Sequence, residues 1–242
     1  MESIKLVKRV AIRGRLVVVT GLHIGAGKDA IEIGGIDTPV MKHPHTGYPY
    51  VPGSSIKGKL RSLLEWHRGQ IGANGGVWDG GSKPDAGDPI LRIFGTTHKD
   101  WAGGPTRILV RDASLNSAWA KHAVQAGLAL TEEKFENNID RIQGKAGVGI
   151  RKTERVPAGA IFDFEFVYRC FDIGGDGGVP DDKNLAFVFD AMRLLELDAL
   201  GGSGSRGYGR VRFTDLSVDG VVHATLEGLP SASGLPAAVR AA

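Results

Sequence analysis

An α+β fold follows from three features of this 242-residue chain. Its regular runs come in the order strand, helix, strand, arm, strand, helix, strand. Two of those runs are amphipathic helices. Residues 160–169 alternate strictly between apolar and polar side chains, the period of a half-buried strand. The resulting β-α-β-β-α-β order is that of split βαβ units of the ferredoxin-like or RRM-like kind, here with long insertions. Residues 1–242 are read as a single domain, and a composition 42% hydrophobic and 24% charged lets them bury a core.

Taken in order, residues 7–20 (VKRVAIRGRLVVVT) are β-branched and partly alternating, and predict a strand or strand pair. Residues 21–53 are punctuated by Gly and Pro and read as loops with short extended pieces. The first helix follows, with Ile56, Leu60, Leu63 and Leu64 spaced for one buried face. Ser54 or Ser55 is the expected cap. Residues 69–89 (GQIGANGGVWDGGSKPDAGDP) read as a mobile insertion, since so long an irregular connection inside a compact domain is unusual. ILRIFG gives a short helix end or strand, and residues 106–115 a strand.

The run at 131–159 holds six cations and five acids with little apolar content, so it reads as a projecting hairpin or arm. In the strand at 160–169, Phe162, Phe164, Phe166 and Tyr168 point one way, and four large rings on one face predict core. GGDGGVPDD reads as a turn. Residues 183–200 form the second helix, with Leu185, Val188, Met192 and Leu195 on one face. GGSGSRGYGR is a glycine loop leading into the closing strands, and 229–242 read as a frayed tail.

Charge is uneven. Residues 1–68 hold 11 Lys/Arg against 5 Asp/Glu, a net of +6, while the remainder holds 19 against 22, a net of −3. Such a basic end suits a polyanion, or is a solvated charged face. Cys170 is the one cysteine, which excludes an intramolecular disulfide and a thiolate zinc site and fits a reducing cytoplasm. No run has the length of a membrane span, so no membrane partner is expected.

Several motifs fail on context. GLHIGAGKD lacks the P-loop: Leu22 stands where its first Gly belongs, and Asp29 replaces Ser/Thr. Gly202, Gly204 and Gly207 fit G-x-G-x-x-G, but they lie between a helix and a strand, the reverse of a dinucleotide fold. A nucleotide-binding metabolic enzyme therefore rests on glycines in the wrong place. His43 and His45 lack a third metal ligand at recognisable spacing.

Three motifs remain. The start of the first helix offers unpaired N–H groups beside Ser54, Ser55, Lys57, Lys59 and Arg61, a natural phosphate site. In the glycine loop, Gly204 and Gly207 let backbone approach phosphates, Arg206 adds charge, and Tyr208 is placed to stack on a base. In GGIDTPV, Asp37 is suited to holding a divalent ion or a 2′-hydroxyl, or is a turn aspartate.

Together GGIDTPVMKHPHTGYPYVPGSSIKGKLRSLLE, ILRIFG, NNIDRIQGKAGVGIRKTERVPAGAIFDFEF and GGSGSRGYGRV resemble the RAMP-superfamily backbone subunits of the type III-A (Csm) CRISPR effector complex. The resemblance runs in order across nearly the whole chain, the 69–89 insertion excepted. It implies a modified RRM-like core with 131–159 as a projecting thumb. It implies copies stacked head to tail along CRISPR RNA, other Csm subunits as partners, and target RNA cut at regular intervals where each thumb pries the guide–target duplex apart. Asp37 matches the catalytic position, acting with a divalent metal, magnesium or manganese. His23, Lys57, Lys59, Arg61 and the loop around Arg206 and Tyr208 match RNA contacts, and Asn138, Ile139, Arg141, Lys145 and Arg155 lie in the thumb. The alternative is a guide-RNA-binding scaffold without catalysis.

Overall fold

The computed structural model describes residues 3–26, 38–147 and 149–235. In chain order its elements are β1 (Ile4–Val18), β2 (Tyr50–Val51), α1 (Gly53–Arg68), α2 (Pro89–Phe94), β3 (Ile108–Val110), β4 (Ala113–Leu115), α3 (Ser117–Gln125), β5 (Glu132–Glu136), β6 (Arg151–Arg155), β7 (Ile161–Ile173), α4 (Val179–Leu197), β8 (Val211–Val218) and β9 (Val221–His223). Among the described residues, seven strands form one antiparallel sheet. β1 lies between β7 and β8, β3 and β4 pair in succession with the far side of β7, β2 extends β4, and β9 closes on β8. Read as β1, α1, β3–β4, β7, α4, β8, this is the expected β-α-β-β-α-β order.

Alternation builds the core. Val10, Ile12, Leu16 and Val18 of β1 and Phe162, Phe164, Phe166 and Tyr168 of β7 are buried, while Arg9, Arg13 and Arg15 stay on the open face. The apolar stripe of α1 (Ile56, Leu60, Leu63, Leu64) and that of α4 (Val188, Met192, Leu195) cover those rings. Phe164 meets Phe213 of β8 edge-on, ring centres 5.2 Å apart.

Several expectations shift in detail. The strand expected at 106–115 is two short ones: the Arg111 N–H still donates to the Glu165 carbonyl at 3.0 Å, and the break comes at Asp112, beside the point where Gly53 packs on the Val110 carbonyl. ILRIFG is helix α2, its first turn held by the Asp88 carboxylate, which accepts the N–H groups of Ile90 at 2.8 Å and Leu91 at 3.3 Å. The second helix begins at Val179, inside the expected turn. Gly178 takes a left-handed φ of 76° there, and Pro180 sits in the first turn where no N–H is missed. The segment 69–88 is anchored to α1 and to itself: Arg61 Nη2 donates to the Trp78 carbonyl at 2.6 Å, and Trp78 Nε1 donates to Asp88 at 2.9 Å.

The tail is not frayed from its start. Residues 229–235 are described and docked: Asp190, fully buried on α4, accepts Ser231 Oγ at 2.6 Å and the N–H groups of Ala232 and Ser233 at 3.0 and 2.8 Å. Buried Arg193 donates to the carbonyls of Leu226 and Leu229 at 3.0 and 2.7 Å. A second buried ion network ties α4 to α2 and β3. Asp181 accepts Arg92 Nε at 2.8 Å, Arg107 Nε at 2.9 Å and the Phe171 N–H at 2.9 Å.

Candidate nucleic-acid interface

The start of α1 has an anion of its own. Neither Ser54 nor Ser55 caps the helix; Pro52 is the N-cap residue and makes no side-chain bond. Instead Asp112, at the β3–β4 break, accepts the Gly53 N–H at 2.7 Å. A carboxylate at that position complements the helix dipole. Ser54 remains exposed and Ser55 half-buried.

The three cations of this helix have separate fates. Arg61 is consumed by structure: Nε donates to Glu65 at 2.7 Å, Nη1 to the Gly95 carbonyl at 2.9 Å and Nη2 to Trp78, and only 14% of its side chain is exposed. Its expected role as a direct phosphate contact is corrected accordingly. Lys59 pairs with Asp198 at 3.0 Å, beside the glycine loop. Lys57 has no side-chain hydrogen bond or ion pair among the described residues. Burial first, then the charges of Arg61 and Arg169, hold its ammonium below the ordinary lysine value.

The glycine loop is a fitted piece. Ser203 takes a φ of 63°, Gly204–Arg206 make one 3₁₀ turn, and Gly207 returns with a φ of 82°. The Gly202 N–H donates to the His23 carbonyl at 2.9 Å and the Gly209 N–H to Gly21 at 3.0 Å. A Cβ at Gly201 would meet the His23 carbonyl and one at Gly209 the Leu200 carbonyl, so glycine is needed for close approach at both. Residues 204, 205, 207 and 208, with Thr20, Asp198 and Arg210, line an open cleft of about 590 Å³.

Tyr208 is corrected too. Its ring is 1% exposed, with Lys134 and Arg155 over it at 4.2 and 5.1 Å, and its hydroxyl donates to Glu136 at 2.9 Å. It clasps the loop to the hairpin, and its faces are not open to a base. Arg206, with 53% of its side chain exposed, donates to the other Glu136 oxygen at 2.9 Å. The Tyr208 hydroxyl foremost, then the charges of Arg206 and Lys134, outweigh burial and hold the Glu136 carboxyl below its ordinary range.

β5 and β6 form a separate two-stranded ladder. Such a ladder is marginal alone, so its base needs anchors. Glu154 supplies one. It is 2% exposed and accepts Lys42 Nζ at 2.5 Å, Thr131 Oγ1 at 2.7 Å and the Val40 N–H at 2.9 Å. Burial pushes its carboxyl up, but these donors together hold it below the usual range. Arg155 is a second anchor rather than a free RNA contact: Nε donates to Glu132 at 2.6 Å, and its side chain lies over Gly21, where a Cβ would collide.

His23 Nδ1 lies 2.7 Å from the Glu154 carbonyl oxygen, which joins this base to the glycine loop. Thr38 bridges Thr153, and the Ala26 N–H donates to the Pro39 carbonyl at 3.1 Å. The two ends flanking residues 27–37 therefore meet at the root of the hairpin, next to His23. Asp37 itself lies outside the described residues. No group of three or more His, Cys, Asp or Glu side chains converges among the described ones.

At the far end the hairpin turns through 138–147. The Asn138 carbonyl accepts the Gly147 N–H at 2.6 Å, and Asp140 organises the turn by accepting the N–H groups of Ile142 and Gln143. Ile139 is 70% and Ile142 97% exposed, with Arg141 and Lys145 open beside them. Apolar side chains carried that far into solvent suit insertion between stacked groups. Sequence reasoning passed over Asp112, Glu136 and Glu154, whose roles depend on partners far along the chain and follow no local period.

The profile of the RAMP superfamily matches residues 15–212. The chain is 39% identical over 225 residues to the CRISPR system Cms endoribonuclease Csm3 of Methanothermobacter thermautotrophicus, covering 87% of this chain and 86% of that one. It is 42% identical over 214 residues to the protein so named from Enterococcus italicus, covering 88% and 94%. Its fold resembles a crystal structure of the Csm3-Csm4 subcomplex in the type III-A CRISPR-Cas interference complex, with a TM-score of 0.54 and 28% identity over 88% of this chain and 80% of that one.

Proposed function

Because this chain belongs to the RAMP superfamily, we propose that it is the repeating subunit of a type III-A CRISPR effector, an endoribonuclease that holds guide CRISPR RNA and cuts the complementary target RNA. The observation that carries the reading is the convergence of four pieces at one place: the glycine loop, His23, the hairpin root and the two ends flanking the Asp37 segment. The guide backbone follows the cleft beside the glycine loop and the start of α1, where Lys57, Lys59 and Arg206 supply positive charge. The hairpin tip, with Ile139, Ile142, Arg141 and Lys145, reaches into the guide–target duplex and displaces a nucleotide. Head-to-tail copies and other Csm subunits complete the channel, in the cytoplasm.

In the displaced nucleotide the 2′-hydroxyl can line up with the adjacent phosphate. Asp37 orients or deprotonates that hydroxyl, and positioning supplies much of the rate. A divalent ion, magnesium or manganese, suits a carboxylate and phosphate oxygens and would stabilise charge on the phosphate when bound.

The test is Asp37→Ala in the assembled complex, followed with matched target RNA in magnesium and in chelator. Cleavage is lost while guide binding and assembly persist. Full-rate cutting by that variant would sink the assignment, and equal rates with chelator would sink the metal.

A further inference from the structure

The run HPHTGYPY at 43–50 has no part in the interface described above. It folds as a tight turn that leads into β2. The His43 N–H donates to the Tyr48 carbonyl at 2.8 Å, the Gly47 N–H to the His43 carbonyl at 2.8 Å, and the Tyr48 N–H to Thr46 Oγ1 at 3.3 Å. Gly47 takes the left-handed φ of 69° that the turn needs. β2 is the last strand at its edge of the sheet, and Tyr50 stands directly across from Ser114 of β4.

The turn (His43, Pro44, Tyr48) and this sheet edge (Tyr50, Asp112, Ser114) wall a pocket of about 490 Å³. Tyr48 is 39% exposed, and neither its hydroxyl nor that of Tyr50 has a partner among the described residues. Asp112 gives one oxygen to the Gly53 N–H; its other oxygen accepts nothing among those residues. His43 Nδ1 accepts the His45 N–H at 3.3 Å, so in the neutral ring the proton sits on Nε2 as a donor. Rings and a proline with a free acceptor and a free donor suit a flat heterocycle that carries both on its edge. A phosphate is disfavoured there by the carboxylate in the wall.

Resting on the RNA-binding reading above, we propose that this pocket receives one base of an RNA strand passing the start of α1. Asp112 belongs to both places: it lines the pocket, and it binds the first N–H of the helix that carries Ser54, Ser55 and Lys57. The backbone phosphate stays on the helix flank while its base turns toward Tyr48 and Tyr50. Stacking on a ring tolerates any base. So does the carboxylate, because every base offers it an N–H: the exocyclic amino group of adenine, cytosine and guanine, and the ring N–H of uracil. The pocket grips a strand without reading its sequence.

The experiment follows fluorescence anisotropy of the full chain with labelled oligouridine and with its abasic counterpart, which keeps the ribose-phosphate chain and lacks the bases. The parent binds the abasic strand about five- to twentyfold more weakly. Tyr48→Ala weakens binding of oligouridine by about the same factor and leaves the abasic strand unaffected. Its salt slope is unchanged, because no phosphate contact is lost. Tyr48→Phe, which keeps the ring, retains most of the affinity.

A folded Tyr48→Ala chain that binds oligouridine as the parent does overturns the pocket while leaving the wider reading intact. So does an equal loss for both strands. Lost self-association in sedimentation with RNA binding unchanged also overturns it, and assigns the pocket to a neighbouring copy. A parent chain that binds neither strand overturns the wider reading itself.

Discussion

The carboxylate of Asp112 accepts the backbone N–H of Gly53 at 2.7 Å. A residue from the edge of the sheet thus occupies the N-terminus of the helix that brings Lys57 and Lys59 forward. The anion at that helix start is a fixed internal one.

Removing that anion should loosen α1 at its start. Asp112→Ala is expected to cost about 1 kcal/mol, the scale of a lost helix cap. Urea denaturation should give a lower midpoint with an unchanged slope. Asp112→Asn, which retains an acceptor, should recover most of the loss.

The clasp between Tyr208 and Glu136 joins the hairpin to the glycine loop. Tyr208→Phe deletes a hydrogen bond to a charged acceptor, worth about 1.5–3 kcal/mol. Amide exchange in residues 132–136 and 151–155 should accelerate about tenfold or more, with little change in the central strands.

The same clasp has a pH dependence of determinate sign. The Glu136 carboxyl is held below its ordinary 4.5, by the Tyr208 hydroxyl first. Its contribution is therefore fully present above about pH 4.5 and is lost as pH falls through the lower folded value. At neutral pH Glu136→Gln should increase hairpin exchange, and in strong acid the variant and the parent should converge.

Asp181 neutralises two arginines inside the protein, and both it and Arg107 are fully buried. Asp181→Ala leaves Arg107 without an anion and Arg92 with only Asp176 at 3.9 Å, and should destabilise the fold by about 3–5 kcal/mol. Chemical denaturation of the full chain measures this. A loss under 1 kcal/mol would mean that water reaches the arginines.

Cys170 faces the core at 1% exposure, and burial, then the nearby Asp182 and Asp181, pushes its thiol up to about 11. Maleimide at neutral pH should leave the native chain unmodified and label it once unfolded.

The frame was legible because it is periodic. The 3.6-residue spacing of Ile56, Leu60 and Leu64 announced α1, and the two-residue spacing from Phe162 to Tyr168 announced β7. The glycine loop was legible from composition, since Gly201 and Gly209 stand where no Cβ fits. Charge partnership was not legible. Arg61 looked like Lys57 in sequence, yet it spends its donors on Glu65, Gly95 and Trp78. Tyr208 looked like a stacking ring until Glu136, 72 residues earlier, claimed its hydroxyl. Glu154 sits in a polar run with no apolar neighbour pattern, and only the return of residues 40–42 buries it. Such pairings join distant positions and leave no local trace.

The buried pair Asp190 and Arg193 finds its partners in residues 226–233, more than thirty positions later in the chain. During synthesis α4 emerges from the ribosome ahead of that segment, so its two charges first stand without the groups that will satisfy them. Maturation of this side of the molecule must then wait for residues 226–233, and a nascent chain arrested just before them would carry an unfinished, ionised surface.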